Sequence, residues 1–278
     1  MQKIKNNFII RTITGLIFAL IIIGVIYFNL WLFTALFLFV SLFTLKEFLN
    51  FSPVTLHKFD KSIIYISATL IYLSFALINL LSINGKYLIF IIALILISII
   101  ILIFYKKRDN TISLISFYIF SLLYTVIPYA LLNFFPKLST NNNLPEYFFL
   151  IVFFAIIWLN DIMAYVSGKI FGKHKLCIEI SPGKTWEGLI GSALFTLGSA
   201  FILQYFFSLQ IKFFWYIFVI IILILGNFGD LLESLFKRNK GIKDSGNFFP
   251  GHGGFLDRFD STLMAAPGIF MYLYFLFY

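Results

Sequence analysis

Between Gly226 and Asp260 the chain reads GNFGDLLESLFKRNKGIKDSGNFFPGHGGFLDRFD. This stretch follows a run of nearly pure hydrocarbon, Phe213 to Leu225, yet it holds five of the chain's twelve acidic residues: Asp230, Glu233, Asp244, Asp257 and Asp260. Lys237, Arg238, Lys240, Lys243 and Arg258 are interleaved with them. Carboxylates beside hydrocarbon are costly unless they are paired or bind cations. Asp230, Glu233 and Lys237 are spaced i, i+3 and i+7, which puts all three on one helix face. Asp257 and Asp260 are spaced i, i+3 at the start of the next apolar segment. Between them, GNFFPGHGG carries Pro250 and three glycines in five residues, so it is a loop that folds back rather than a helix. Such a fold would let the Asp230 face meet the Asp257 face. Carboxylates from two helix ends make a hard oxygen site suited to Mg²⁺, which keeps positions open for phosphate oxygens and water. The surrounding Lys and Arg would hold a polyphosphate. The plainer alternative is a self-neutralising salt-bridge cluster.

Two shorter motifs add to this. Asp161 ends an apolar run in IIWLNDIMAYVSGKIFGKHK, with Tyr165 and Gly168 on its helix face at i+4 and i+7. An intramembrane acid usually faces a functional cavity, although pairing with Lys169 or Lys173 at the membrane boundary would also account for it. ISPGKTWEG, Ile180 to Gly188, is a short Pro-Gly loop ahead of another apolar run. Lys184 offers a point charge there, and Thr185 or Ser181 a cap for the next helix, whose N-terminus attracts anions. An ordinary helix start fits equally well. The pattern is not a Walker loop, because Ile178 stands where glycine is needed. His252, between two glycines, is as readily an incidental loop residue as a proton carrier. No second His or Cys stands at zinc-ligand spacing, and the single cysteine, Cys177, has no catalytic partner pattern.

The elements that must position these groups are apolar helices. Of the 278 residues, 61% are hydrophobic and 12% charged, against about 25% charged in a soluble domain. A membrane span needs about 20 mostly apolar residues. Nine segments qualify, roughly 11–29, 31–49, 63–83, 87–105, 112–135, 147–168, 187–208, 212–233 and 259–278. The first two are separated by a tight turn near Asn29, the fifth kinks at Pro128, and the last bends at Pro267-Gly268. Alternating strands are absent, so the fold class is all-α and polytopic. The chain is read as one membrane domain, 1–278, with a helical scaffold over 1–140 and the chemistry over 147–278. Lys3 and Lys5 lead into a retained first span, since no cleavage-site pattern follows. Asn79 and Gln204 are expected to hydrogen-bond between helices.

Orientation follows from charge. With the N-terminus in the cytoplasm, eighteen of the 21 Lys and Arg residues fall on that side, and only Lys86, Lys137 and Lys212 on the other. This bias explains the net charge of +9 without nucleic acid. The loops 169–186 and 237–258 become cytoplasmic. Eight acidic residues lie beyond residue 160, whereas spans one to five contribute only Glu47, Asp60 and Asp109, all near loops. The first five spans therefore read as scaffold.

The run 234–260 resembles the signature of the phosphatidate cytidylyltransferase (CDP-diacylglycerol synthase) family. The pattern is met at Ser234, Lys237, Arg238, Lys243, Asp244, Gly246, Phe249, Pro250, His252, Gly253, Gly254, Asp257, Arg258 and Asp260. NDIMAYVSGKIFGKHKL, SPGKTWEG and GDLLES are similar to that family as well. The resemblance implies an integral enzyme of phospholipid synthesis, in the cell inner or plasma membrane. It would convert CTP and phosphatidic acid to CDP-diacylglycerol and pyrophosphate, as a homodimer, with Mg²⁺ and a second, monovalent cation such as K⁺. Under it Asp230 and Asp257 hold the metal, assisted by Asp161 or Asp260. Asp230, Asp257, Asp260, Lys184 and Lys243 form the catalytic set. Ser181, Lys184, Lys237, Arg238, Lys243, His252 and Arg258 bind substrate. A CTP-dependent lipid-alcohol kinase, which shares parts of the motif, is the near alternative. A transporter is the distant one, disfavoured because the polar residues crowd into the last four spans.

Overall fold

The computed structural model describes residues 2–81, 89–105, 110–207, 209, 211–249 and 253–277, with side chains described from residue 14 and not over 89–91 or 104–105. Lys86, the Lys106–Arg108 cluster and His252 lie outside the described residues, as do the side chains of Lys3, Lys5 and Arg11. The order is α1 (Gln2–Phe28), α2 (Leu30–Phe48), α3 (Lys58–Leu80), α4 (Ile89–Tyr105), α5 (Thr111–Thr125), α6 (Ile127–Leu132), α7 (Phe135–Thr140), α8 (Phe148–Phe171), β1 (Lys175–Cys177), β2 (Ser181–Thr185), α9 (Trp186–Phe206), α10 (Phe214–Asn239) and α11 (Leu256–Phe277).

Among the described residues each expected apolar segment contains helix, but the expected count of nine spans is not reached. Among the described residues, seven helical stretches are long and apolar enough to cross a membrane, counting α5 to α7 as one, and Thr14–Phe28 and Ile92–Ile103 are shorter apolar helices. Outward-facing Leu16, Ile97, Leu194, Phe201 and Phe275 are more than half exposed. Hydrocarbon on that scale suits a lipid surround, and helices meet the lipid requirement that backbone polar groups be satisfied internally.

The chain divides into two compact units, Met1–Phe134 with Asp244–Arg258, and Phe135–Lys243 with Phe259–Tyr278. In the first, Asn29 makes the sharp turn, its side chain accepting from Trp31 N at 2.7 Å to start α2. Val126 interrupts the fifth segment and Pro128 sits in the first turn of α6, where its missing N–H costs nothing. Phe33, Phe37, Phe48, Tyr72, Tyr118 and Tyr129 are fully buried. Their polar tips and neighbours pair across helices: Tyr72 donates to Thr34 O at 3.0 Å, Thr34 to Asn133 Oδ1 at 2.8 Å, and Thr44 lies 3.1 Å from Tyr129. The interhelical role expected of Asn79 thus falls to Asn133. Asn79 turns back onto Phe75 O of its own helix at 2.9 Å, the nearest carbonyl available to a short amide.

In the second unit α8, α9 and α10 pack on one another. Phe149, Phe153, Phe154, Phe214, Trp215 and Phe218 fill the centre, and Trp215 Nε1 donates to Phe207 O at 2.7 Å. α11 runs through Pro267 as one helix, so the expected bend there does not interrupt it.

Candidate functional site

The second unit contains a cavity of about 460 Å³, walled by Asp161, Ala164, Tyr165, Gly168 and Lys169 of α8, Leu176 of β1, Ser181, Gly183, Lys184 and Thr185 on the strand before α9, Gly188 and Leu189 of α9, and Asn227 and Asp230 of α10. The volume is of the order of a small-molecule site. Asp161, Tyr165 and Gly168 share one wall, as their helical spacing requires.

The segment read as a plain loop is a hairpin. β1 and β2 pair antiparallel, with Lys175 opposite Thr185 and Cys177 opposite Ser181. Its base is tied at both ends. Trp186 N donates to His174 O at 3.0 Å, and the Glu187 carboxylate accepts His174 N at 3.2 Å while lying 2.6 Å from His174 Nδ1. Thr185 Oγ1 accepts from Gly188 N at 3.1 Å, so Thr185 is the residue that caps α9. The cap leaves the helix N-terminus at the cavity, an arrangement that favours anions. Arg238 fastens the far side, donating from Nε to Ile180 O at 3.1 Å and from Nη1 to Ile242 O at 2.9 Å.

Lys184 projects from β2 with its Nζ 2.7 Å from Asp230 Oδ2, and both side chains are partly exposed. The Nζ itself is buried and, apart from this ion pair, makes no aligned hydrogen bond to any described residue. One turn further along α10, Glu233 is fully buried and pairs with Lys237 at 2.5 Å. Gly229 lets α11 approach closely, because a Cβ there would strike Asp260 O. Asp260 consequently feels the charges of Asp230, Glu233 and Asp161. Four carboxylates therefore share one region of this unit. Among the described residues no three carboxylate, imidazole or thiolate groups converge closely enough to hold a metal alone. Mg²⁺ would need only one or two of these carboxylates, since it completes its shell with phosphate oxygens and water.

Asp161, Ser181, Lys184 and Asp230 are thus gathered on one cavity, with Asp260 in electrostatic reach of two of them. Lys243 is exposed, at the end of the same unit. Asp257 and Arg258 belong to the other unit. There the Asp257 Oδ2 accepts Ser245 N at 2.9 Å, Ser245 Oγ at 2.8 Å and Gly254 N at 2.7 Å. On either side of residues 250–252, which lie outside the described residues, Phe249 N donates to Gly253 O at 2.9 Å. Lys169, Tyr165 and Asn227 line the cavity without having been singled out as site residues. The first two stand at i+8 and i+4 from Asp161, which was the available signal.

The fold is all-α, with helices long and apolar enough to cross a membrane, and its cavity is lined by two carboxylates and two lysines. Residues 9–276 match the cytidylyltransferase family, and the chain belongs to that family. It is similar to a protein of Staphylococcus haemolyticus, 47% identical over 115 residues, 41% of this chain and 44% of that one. A Bacillus subtilis protein is 45% identical over 138 residues, half of its length. A Rickettsia bellii protein is 40% identical over 173 residues, 58% of this chain and 71% of that one. Each relative is named phosphatidate cytidylyltransferase. The chain spans less than half the length of the staphylococcal relatives it matches.

Proposed function

We propose that the protein transfers the cytidylyl group of CTP to phosphatidic acid, giving CDP-diacylglycerol and pyrophosphate, at the cytoplasmic face of the cell inner membrane. The observation that carries this reading is the cavity that sets Lys184 and Ser181 of the hairpin against Asp161 and Asp230. The names of the relatives supply the lipid substrate and the nucleotide.

The reaction needs no general base, since the attacking group is already a phosphate oxyanion. A phosphatidate oxygen forms a bond to the α-phosphorus of CTP, the bond from that phosphorus to the bridging oxygen breaks, and pyrophosphate leaves with the electron pair. The demands are alignment and neutralisation of charge on the phosphates. Lys184 and the capped N-terminus of α9 serve the triphosphate. Lys237, Arg238, Lys243, His252 and Arg258 complete the phosphate-binding set on the strength of the motif. Asp230 holds Mg²⁺ with Asp161 or Asp260 assisting, and the motif adds Asp257. When bound, Mg²⁺ supplies positive charge to the triphosphate oxygens; K⁺ is the second cation in this reading. The protein acts as a homodimer, with its N-terminus cytoplasmic.

The test is purified protein in detergent with radiolabelled CTP, Mg²⁺ and phosphatidic acid. The expected result is cytidine label in the organic phase with stoichiometric pyrophosphate, abolished by EDTA. Phosphorylated lipid with release of CDP would replace this reading with a lipid kinase.

A further inference from the structure

The acidic residue that the sequence places in the scaffold, Glu47, occupies an unusual position in the first unit. It stands near the end of α2 and is buried. Its Oε1 accepts Phe255 N at 3.0 Å, and its Oε2 accepts Leu256 N at 2.8 Å and Ser245 Oγ at 2.9 Å. These are the backbone groups that open α11. Helix starts are ordinarily capped by a neighbouring Ser, Thr, Asp or Asn. Here the cap comes from 208 residues away in sequence. A buried carboxylate is a costly way to satisfy two amides unless its position matters. The surrounding loop is shaped to it. Gly254 and Gly246 each have the Glu47 carboxylate where a Cβ would stand, and Gly253 takes φ +78. Ser245 links the two acids, its hydroxyl lying 2.9 Å from Glu47 and 2.8 Å from Asp257. Ser245 and Gly254, which donate to Asp257 Oδ2, are thus residues that Glu47 touches or abuts.

We infer that Glu47 is the positioning residue for Asp257: it grips Ser245 and the first turn of α11, and so fixes the carboxylate that the motif assigns to the metal. The inference rests on the proposed reaction for the purpose of that carboxylate, but the grip itself is independent of it. In Glu47→Gln the amide NH₂ must face a backbone N–H that the carboxylate oxygen accepted, so one of the two amides loses its partner.

The experiment uses the full chain in detergent, with Mn²⁺ as the probe ion. In Glu47→Gln, peptides covering 245–257 should exchange amide hydrogens faster. Mn²⁺ affinity, followed by the paramagnetic signal of the free ion, and kcat should each fall about 10–100-fold, the usual cost of losing a group that orients a metal ligand. KM for CTP should move by less than about threefold, since uniform binding is untouched. Ser245→Ala keeps both backbone caps, and it should weaken Mn²⁺ in the same direction without unfolding α11. Native Mn²⁺ affinity in either variant, or unchanged exchange in Glu47→Gln, would overturn the inference. If the wild-type chain transfers no cytidylyl group, the proposed reaction fails, while exchange and Mn²⁺ titration still decide the role of Glu47.

Discussion

At the scale of single residues, the cavity separates groups by what holds them. Lys184 is tied by one ion pair and no aligned hydrogen bond, whereas Arg238 is engaged with two backbone carbonyls. Lys184→Met should therefore lower kcat/KM for CTP by roughly 10²–10³-fold, as when a group that stabilises transition-state charge is removed. Its thermal stability should change by no more than ~1 kcal/mol, because the pair with Asp230 is partly exposed to water. Steady-state kinetics beside thermal unfolding would separate the two effects. Arg238→Ala should act both through a looser hairpin and through a lost phosphate-binding charge, raising KM several-fold. Asp161, Ser181, Lys184 and Asp230 were legible in the sequence because charge and turn chemistry are rare amid hydrocarbon, so each stood out. Glu47 did not stand out. It sits beside Lys46 at the end of an apolar run, which is how a solvated boundary residue also reads, and its partners are some 200 residues distant.

At the scale of elements, the helices were readable because a run of about 20 apolar residues has few alternatives. The hairpin was not. Three- and five-residue strands are too short to show alternation, and SPGKT carries both a proline and a glycine. What makes it a hairpin is non-local along the loop: the pairing of Lys175 with Thr185 and the clasp of Glu187 on His174. Thr185 joins hairpin to helix, so its loss should be felt in both. Thr185→Ala should cost ~1 kcal/mol through the lost cap, while Thr185→Ser should retain most of it. Thermal unfolding in detergent, compared between the two variants, checks this. Likewise the interruption at Val126 follows from Pro128, which has no N–H to donate to the carbonyl four residues back and suits a first turn, whereas Pro267 is carried inside α11. The sequence alone could not distinguish those outcomes, because tertiary packing decides whether a proline kinks a helix or is absorbed.

At the scale of the whole molecule, the charge distribution predicts a sidedness that the single cysteine can report. Cys177 lies in β1, on the segment 169–186 assigned to the cytoplasm, and is partly exposed. A membrane-impermeant maleimide should label it in inverted vesicles and leave it unlabelled in right-side-out vesicles until they are permeabilised. Labelling from the outer face would reverse the assignment and with it the source of CTP. The cavity itself has one more consequence. At about 460 Å³ it has room for a nucleotide or a phosphate headgroup but none for a pair of fatty chains as well. Under the proposed reaction the protein would then be blind to chain length and unsaturation. Whatever mixture of fatty acids reaches it would pass unsorted into its lipid product.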